Sequence, residues 1–124
     1  MLWRKIITYW HTIGIGSVIL YLSLLRTPHL HFPLFAGADK VAHLCMYTLL
    51  GIAMLYDLNR DRQPLWRCIA VTLIAGSIYG GVIELMQEYL FPPRTGDWLD
   101  LLADFAGLTL SLTALCLIPR SSTL

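Results

Sequence analysis

The stretch Leu65–Phe91, LWRCIAVTLIAGSIYGGVIELMQEYLF, decides the fold class. A helix covers ~30 Å of hydrocarbon with about 20 apolar residues. This run is longer, so it reads as a tilted membrane-spanning helix. It also carries Glu84, and a carboxylate inside a membrane segment is costly enough to be a functional candidate by default.

Working outward, three further runs fit the same reading: about Ile6–Leu25, about Lys40–Tyr56 (with a start near Ala38), and about Trp98–Ile118. The expectation is an all-α, polytopic membrane protein, a four-transmembrane-helix bundle forming one domain over residues 1–124. Composition agrees. The chain of 124 residues is 56% hydrophobic and 14% charged, against about 25% charged for a soluble domain. Mean hydropathy is +0.62. The basic residues are few and scattered, which excludes a nucleic-acid partner. Cys45, Cys68 and Cys116 have no metal-ligand spacing and read as small buried hydrophobes.

The start, Met1-Leu2-Trp3-Arg4-Lys5, imitates a signal peptide, but the apolar run after it is too long and Arg26-Thr27-Pro28 replaces a cleavage site, so it reads as an uncleaved first span. The first connection, 26–37, mixes Pro28 and Pro33 with apolar residues and suits the membrane interface. The second, Asp57–Pro64, is polar and tight. The third, Pro92–Gly96, is a turn. With the N-terminus inside, Arg4, Lys5, Arg60, Arg62, Arg67 and Arg120 face the cytoplasm and Arg26, Lys40 and Arg94 face out. The excess of inner basic residues predicts N-in, C-in. Asp57 and Asp61 go with the inner side; the other acids fall in the outer half.

Four ionisable residues inside the spans are the candidate catalytic groups: His43, Glu84, Asp100 and Asp104. At about 1.5 Å per residue, Glu84 lies ~12 Å, Asp104 ~10 Å and His43 ~6 Å below the outer edge, a single shallow layer. At 100° per residue Asp97, Asp100 and Asp104 share one face, extended by Gly107 and Ser111. Gly76, Gly80, Glu84 and Gln87 form a second stripe, and Gly76-x-x-x-Gly80 permits close helix approach. Asp39 and His43 are i, i+4 neighbours, with Tyr47 one turn deeper. The stripes predict a polar pocket opening outward, with Asp39, Lys40, His43, Glu84, Gln87, Arg94, Asp97, Asp100 and Asp104 as binding residues. The first span, with no acid, reads as a strut, and His11 and Thr12 as structural.

Structural readings stand beside these. Asp39 and Asp97 suit helix N-caps. Lys40 suits a snorkelling anchor, and Glu88 a solvated headgroup-level charge. Arg94 either contacts headgroups, pairs with Asp97 or Asp100, or holds an anion. His43, Glu84 and Asp104 either form a site or join helices through a polar network.

The blocks Asp39-Lys40-Val41-Ala42-His43-x-x-x-Tyr47-x-x-x-Gly51, Glu84-x-x-Gln87 and Pro93-Arg94-x-x-Asp97-x-x-Asp100-x-x-x-Asp104-x-x-Gly107 resemble the VanZ-like family of bacterial membrane proteins. The resemblance covers about Asp39 to Ser111. Two positions depart from it: Asp104 stands where the family usually has Asn, and Ser111 where it often has Gly. The resemblance implies a multi-pass protein of the bacterial cytoplasmic (inner) membrane, a role at the cell envelope related to low-level resistance to the glycopeptide teicoplanin, and no defined reaction.

Three functions follow as expectations. The first is an outward site for a polar or anionic group of an envelope lipid or glycopeptide, among membrane lipids as constant partners. The second is an intramembrane acid–base or metal-dependent enzyme. One His with two or three carboxylates has the donor set for a divalent metal with an open position, although no H-E-x-x-H or G-x-S-x-G occurs. The third is a small transporter, against which stands the expected lack of ionisable groups in the cytoplasmic half of the bundle.

Overall fold

A computed structural model describes residues 1–25, 37–91 and 96–120, and every regular element among them is helical. The order is α1 (Leu2–Thr8), α2 (Trp10–Leu24), α3 (Ala38–Arg60), α4 (Leu65–Leu90) and α5 (Trp98–Ser111), the last continued by a 3₁₀ turn, Leu112–Cys116. Of the expected connections 26–37 and 92–96, all but Gly37 and Gly96 lie outside the described residues, and with them Arg94.

Three helices are long and apolar enough to cross a membrane: α3, α4, and α5 with its 3₁₀ extension. On α4 the buried residues Thr72, Gly76, Gly80 and Glu84 recur every four positions, with Ile83 and Gln87 beside them. Ile74, Ile78, Val82, Leu85 and Tyr89 stay exposed on the other side. A helix with an apolar outer face and small or polar inner residues is the pattern expected where lipid replaces water.

The α-helical part of α5 stops at Ser111, earlier than the expected Ile118, and tightens into the 3₁₀ turn, as polar side chains take main-chain carbonyls three residues back: Ser111 to Leu108 and Thr113 to Leu110. Of the cysteines, only Cys68 is buried. Cys45 and Cys116 are exposed, on outer faces that an apolar medium tolerates.

The expected first span, about Ile6–Leu25, is two helices bent by 71°. The cause lies on α3. In an unbroken helix the Thr12 N–H would donate to the carbonyl of Thr8. Here it donates to Oδ2 of Asp57 at 2.9 Å, and the Thr12 hydroxyl donates to the same oxygen at 2.8 Å. Asp57 thus caps the start of α2 from another helix, and the chain turns at Tyr9, whose hydroxyl donates to Asp61 at 2.7 Å.

The central helix is α3, and its contact with α5 is the most extensive in the bundle. Two glycines set that approach. A Cβ on Gly107 would lie 2.5 Å from the Leu44 carbonyl oxygen and 3.0 Å from the Thr48 nitrogen, while the Ser111 side chain occupies the place a Cβ on Gly51 would need. Ile19, Tyr47, Leu50, Met54, Ile83 and Leu108 form the main core and Leu55, Leu58 and Cys68 a second cluster. The chain leaves α3 through a Schellman motif: the N–H of Gln63 donates to Leu58 and that of Arg62 to Asn59, with Arg62 left-handed at φ 57°.

Candidate functional site

The first turns of α3 and α5 and the last turns of α4 meet at one end of the bundle. His43 on α3, Glu84 on α4, and Asp100 and Asp104 on α5 are all buried there. Nδ1 of His43 and Oδ1 of Asp104 share a hydrogen bond of 2.8 Å. Nε2 lies 3.8 Å from Oδ2 of Asp100. The Tyr47 ring runs parallel to the imidazole at 6.4 Å.

Lys40 closes the outer side of this group. Its Nζ donates to Asp97 at 2.9 Å and to Asp100 at 3.1 Å. The structural reading of Asp97 and its site reading hold together: Oδ1 accepts from the Leu99 N–H at 2.9 Å as an N-cap, and Oδ2 faces Lys40. The Asp97 N–H donates to Oε2 of Glu84 at 2.9 Å, which ties α4 to the start of α5. Asp97 precedes the span, and the Lys40 ammonium, helped by the Leu99 N–H, holds its carboxyl below the usual carboxylate range.

Two carboxylate oxygens in the buried part, Oε1 of Glu84 and Oδ2 of Asp104, have no hydrogen-bond partner among the described residues. Donor atoms of His43, Glu84 and Asp104 lie within 4.8 Å of one another, and the same holds for Asp39, His43 and Asp100. The first triplet is fully buried, while Asp39 in the second is exposed. The arrangement can exchange a proton between imidazole and carboxylate, or hold a cation.

Of the residues expected in the site, His43, Glu84, Asp100 and Asp104 converge, Lys40 and Asp97 join them, and Asp39 stands at the rim. Gln87 turns elsewhere: its amide donates to the Ser23 carbonyl on α2 at 2.8 Å and ties two helices. Glu88 is exposed, as a solvated charge would be. A separate, mostly apolar space lies elsewhere in the bundle. A cavity of about 380 Å³ lies between α2, α3 and α4, with Thr12, Gly16, Leu50, Met54, Gly76 and Tyr79 in its wall and none of the acids. The acids are instead packed into the α3–α4–α5 junction.

A second polar group sits at the far end of the bundle. Asp57, expected in the second connection, is fully buried inside α3. It accepts from Nδ1 of His11 at 2.8 Å and from Thr12. His11 and Thr12 are structural, as expected, but ionisable groups are present in that half of the bundle. A signal for Asp57 existed: the buried spacing His43, Tyr47, Leu50, Met54 continues onto it.

Comparison of the chain with protein-family models, with curated proteins and with solved structures finds no match.

Proposed function

We propose that this chain is a four-span, VanZ-like protein of the bacterial cytoplasmic membrane, N-in and C-in, acting at the cell envelope. The α1–α2 pair serves as the bent first span. The cluster around His43 and Asp104 lies on the outer side and receives a polar group of an envelope lipid or glycopeptide. The observation that carries this reading is the meeting of four buried ionisable side chains from three helices in one layer, since such residues are retained against a large desolvation cost.

Charge points to the sign of that group. Among the described residues Lys40 is already held by two aspartates, and Asp39, Glu84, Asp97, Asp100 and Asp104 outnumber Lys40 and His43. That balance favours a cationic or hydrogen-donating group over the anionic one expected from Lys40 and Arg94. The test is Glu84→Gln and Asp104→Asn in a producing strain. The reading expects altered glycopeptide susceptibility and weakened lipid binding by the purified protein. No change in either, at normal protein levels, counts against it.

The second reading, intramembrane acid–base catalysis on a lipid or envelope precursor, is favoured by one specific contact. The His43–Asp104 pair is a positioned proton donor and acceptor, with Oε1 of Glu84 unpaired beside it.

A further inference from the structure

We propose that His43, Glu84 and Asp104 form a binding site for one divalent transition-metal ion, with Asp100 as the outer partner of the imidazole. This deepens the functional reading above and rests on the same cluster.

The donors come from three different helices, so the site exists only in the assembled bundle. All three residues are buried, and one donor atom of each lies within 4.8 Å of the others. Three protein ligands with positions left over is the pattern of metal sites that also take a water or a substrate. One imidazole and two carboxylates suit zinc- or manganese-type ions, whereas magnesium prefers to keep its water shell.

The unpartnered oxygens point to a ligand independently of the acidic composition. Among the described residues Oδ2 of Asp104 and Oε1 of Glu84 find no hydrogen-bond partner, in residues only 1% and 8% exposed. Buried polar atoms are nearly always satisfied, and two buried carboxylates that face, among the described residues, a single imidazole are costlier still. Lys40 cannot supply that charge, because its ammonium is engaged with Asp97 and Asp100. A dication balances two carboxylates and satisfies both oxygens.

The surroundings match as well. Residue 80 has no side chain; a Cβ there would lie 2.8 Å from Oδ2 of Asp104. The two imidazole nitrogens face different acids, Nδ1 towards Asp104 and Nε2 towards Asp100 at 3.8 Å. A ligating histidine usually turns its other nitrogen to a carboxylate, which fixes the ring and raises its basicity. Once a metal replaces the proton on Nδ1, the remaining ring proton sits on Nε2, on the side of Asp100.

The experiment uses the full chain in lipid nanodiscs, stripped with a chelator and titrated with Zn²⁺ and with Mn²⁺. We expect one ion per chain for at least one of the two metals. Glu84→Gln and Asp104→Asn should each weaken binding at least about 10-fold, and Asp39→Asn less than about 2-fold. Co²⁺ added to the unaltered protein should give the visible absorption of a low-symmetry nitrogen–oxygen site, a readout that needs no variant to fold. Lack of saturable binding of both metals, no cobalt band, or equal loss in Asp39→Asn and Glu84→Gln would each overturn the site. Metal binding in a protein whose Glu84 and Asp104 variants leave susceptibility and lipid binding unchanged retains the site and removes the functional reading. Altered susceptibility in a protein that binds neither metal does the reverse.

Discussion

Nδ1 of His11 lies 2.8 Å from Oδ1 of Asp57, an acid with no solvent exposure, 46 positions further along the chain. The other carboxylate oxygen accepts from both the N–H and the hydroxyl of Thr12. One side chain therefore satisfies a histidine, a hydroxyl and one of the free N–H groups at the start of α2. The first helical segment is thus more than a strut, because its 71° bend at Tyr9 is joined to α3 through Asp57.

Removing that carboxylate should loosen the join. Asp57→Ala leaves three donors without an acceptor, at about 1–3 kcal/mol for a buried unsatisfied group. Asp57→Asn keeps an acceptor for Thr12 and should cost less. Thermal unfolding in detergent gives the ranking, with the alanine variant least stable. Equal melting temperatures for Asp57→Ala and the parent protein would mean that Asp57 does not hold the bend.

The α3–α5 contact predicts a contrast between two glycines. A methyl group at Gly107 meets main-chain atoms of Leu44 and Thr48, which cannot rotate away, whereas one at Gly81 meets nothing within 4 Å. Gly107→Ala should destabilise by about 1–3 kcal/mol through overpacking. Gly81→Ala should be neutral or stabilising, by up to ~1 kcal/mol from helix propensity. The same unfolding assay reads both, and a Gly107→Ala protein as stable as Gly81→Ala would contradict the close approach.

Arg62 offers a gain. It holds a left-handed backbone at φ 57° in the Schellman motif that ends α3, a position usually given to glycine. Relief of the Cβ penalty outweighs the added freedom of the unfolded chain, so Arg62→Gly should stabilise by about 0.5–1 kcal/mol. A lower melting temperature for this variant would show that the arginine side chain contributes something the backbone geometry does not account for.

These cases mark how far the sequence could be read. The stripe Gly76, Gly80, Glu84 and the stripe Asp97, Asp100, Asp104 follow from helical periodicity alone, and the structure packs both inward except for Asp97 at the rim. The same holds for the start of α3 at Ala38. Local pattern does not reveal partners, however. Gln87 sits on the right stripe yet reaches Ser23 on α2, because its extra turn carries it past the junction. Asp57 looked like the start of a polar connection, with Asn59, Arg60 and Asp61 behind it. Only its helical register with Tyr47, Leu50 and Met54 placed it inside, and only tertiary contact with His11 and Thr12 bent the first segment. Cys45 and Cys116 were misread for another reason: in an apolar medium, an apolar residue is no evidence for an inward face.

The rim of the cluster makes a pH prediction. Asp97 lies just before α5 and its carboxyl is held below the ordinary range, chiefly by the Lys40 ammonium. A carboxyl depressed in the folded state adds stability above its unfolded pKa, about 3.9, and loses it as pH falls through the lower folded value. The Lys40–Asp97 link should therefore be intact throughout the neutral range and open only in strong acid. Lys40→Met removes the main cause, so Asp97 should titrate at higher pH in that variant, with its Leu99 N-cap bond remaining. Carboxyl carbon chemical shifts of Asp97, followed against pH in both proteins, measure this directly. An Asp97 that titrates at the same pH with and without Lys40 would remove the ion pair from the site, and with it the reason for regarding the Lys40 charge as already neutralised.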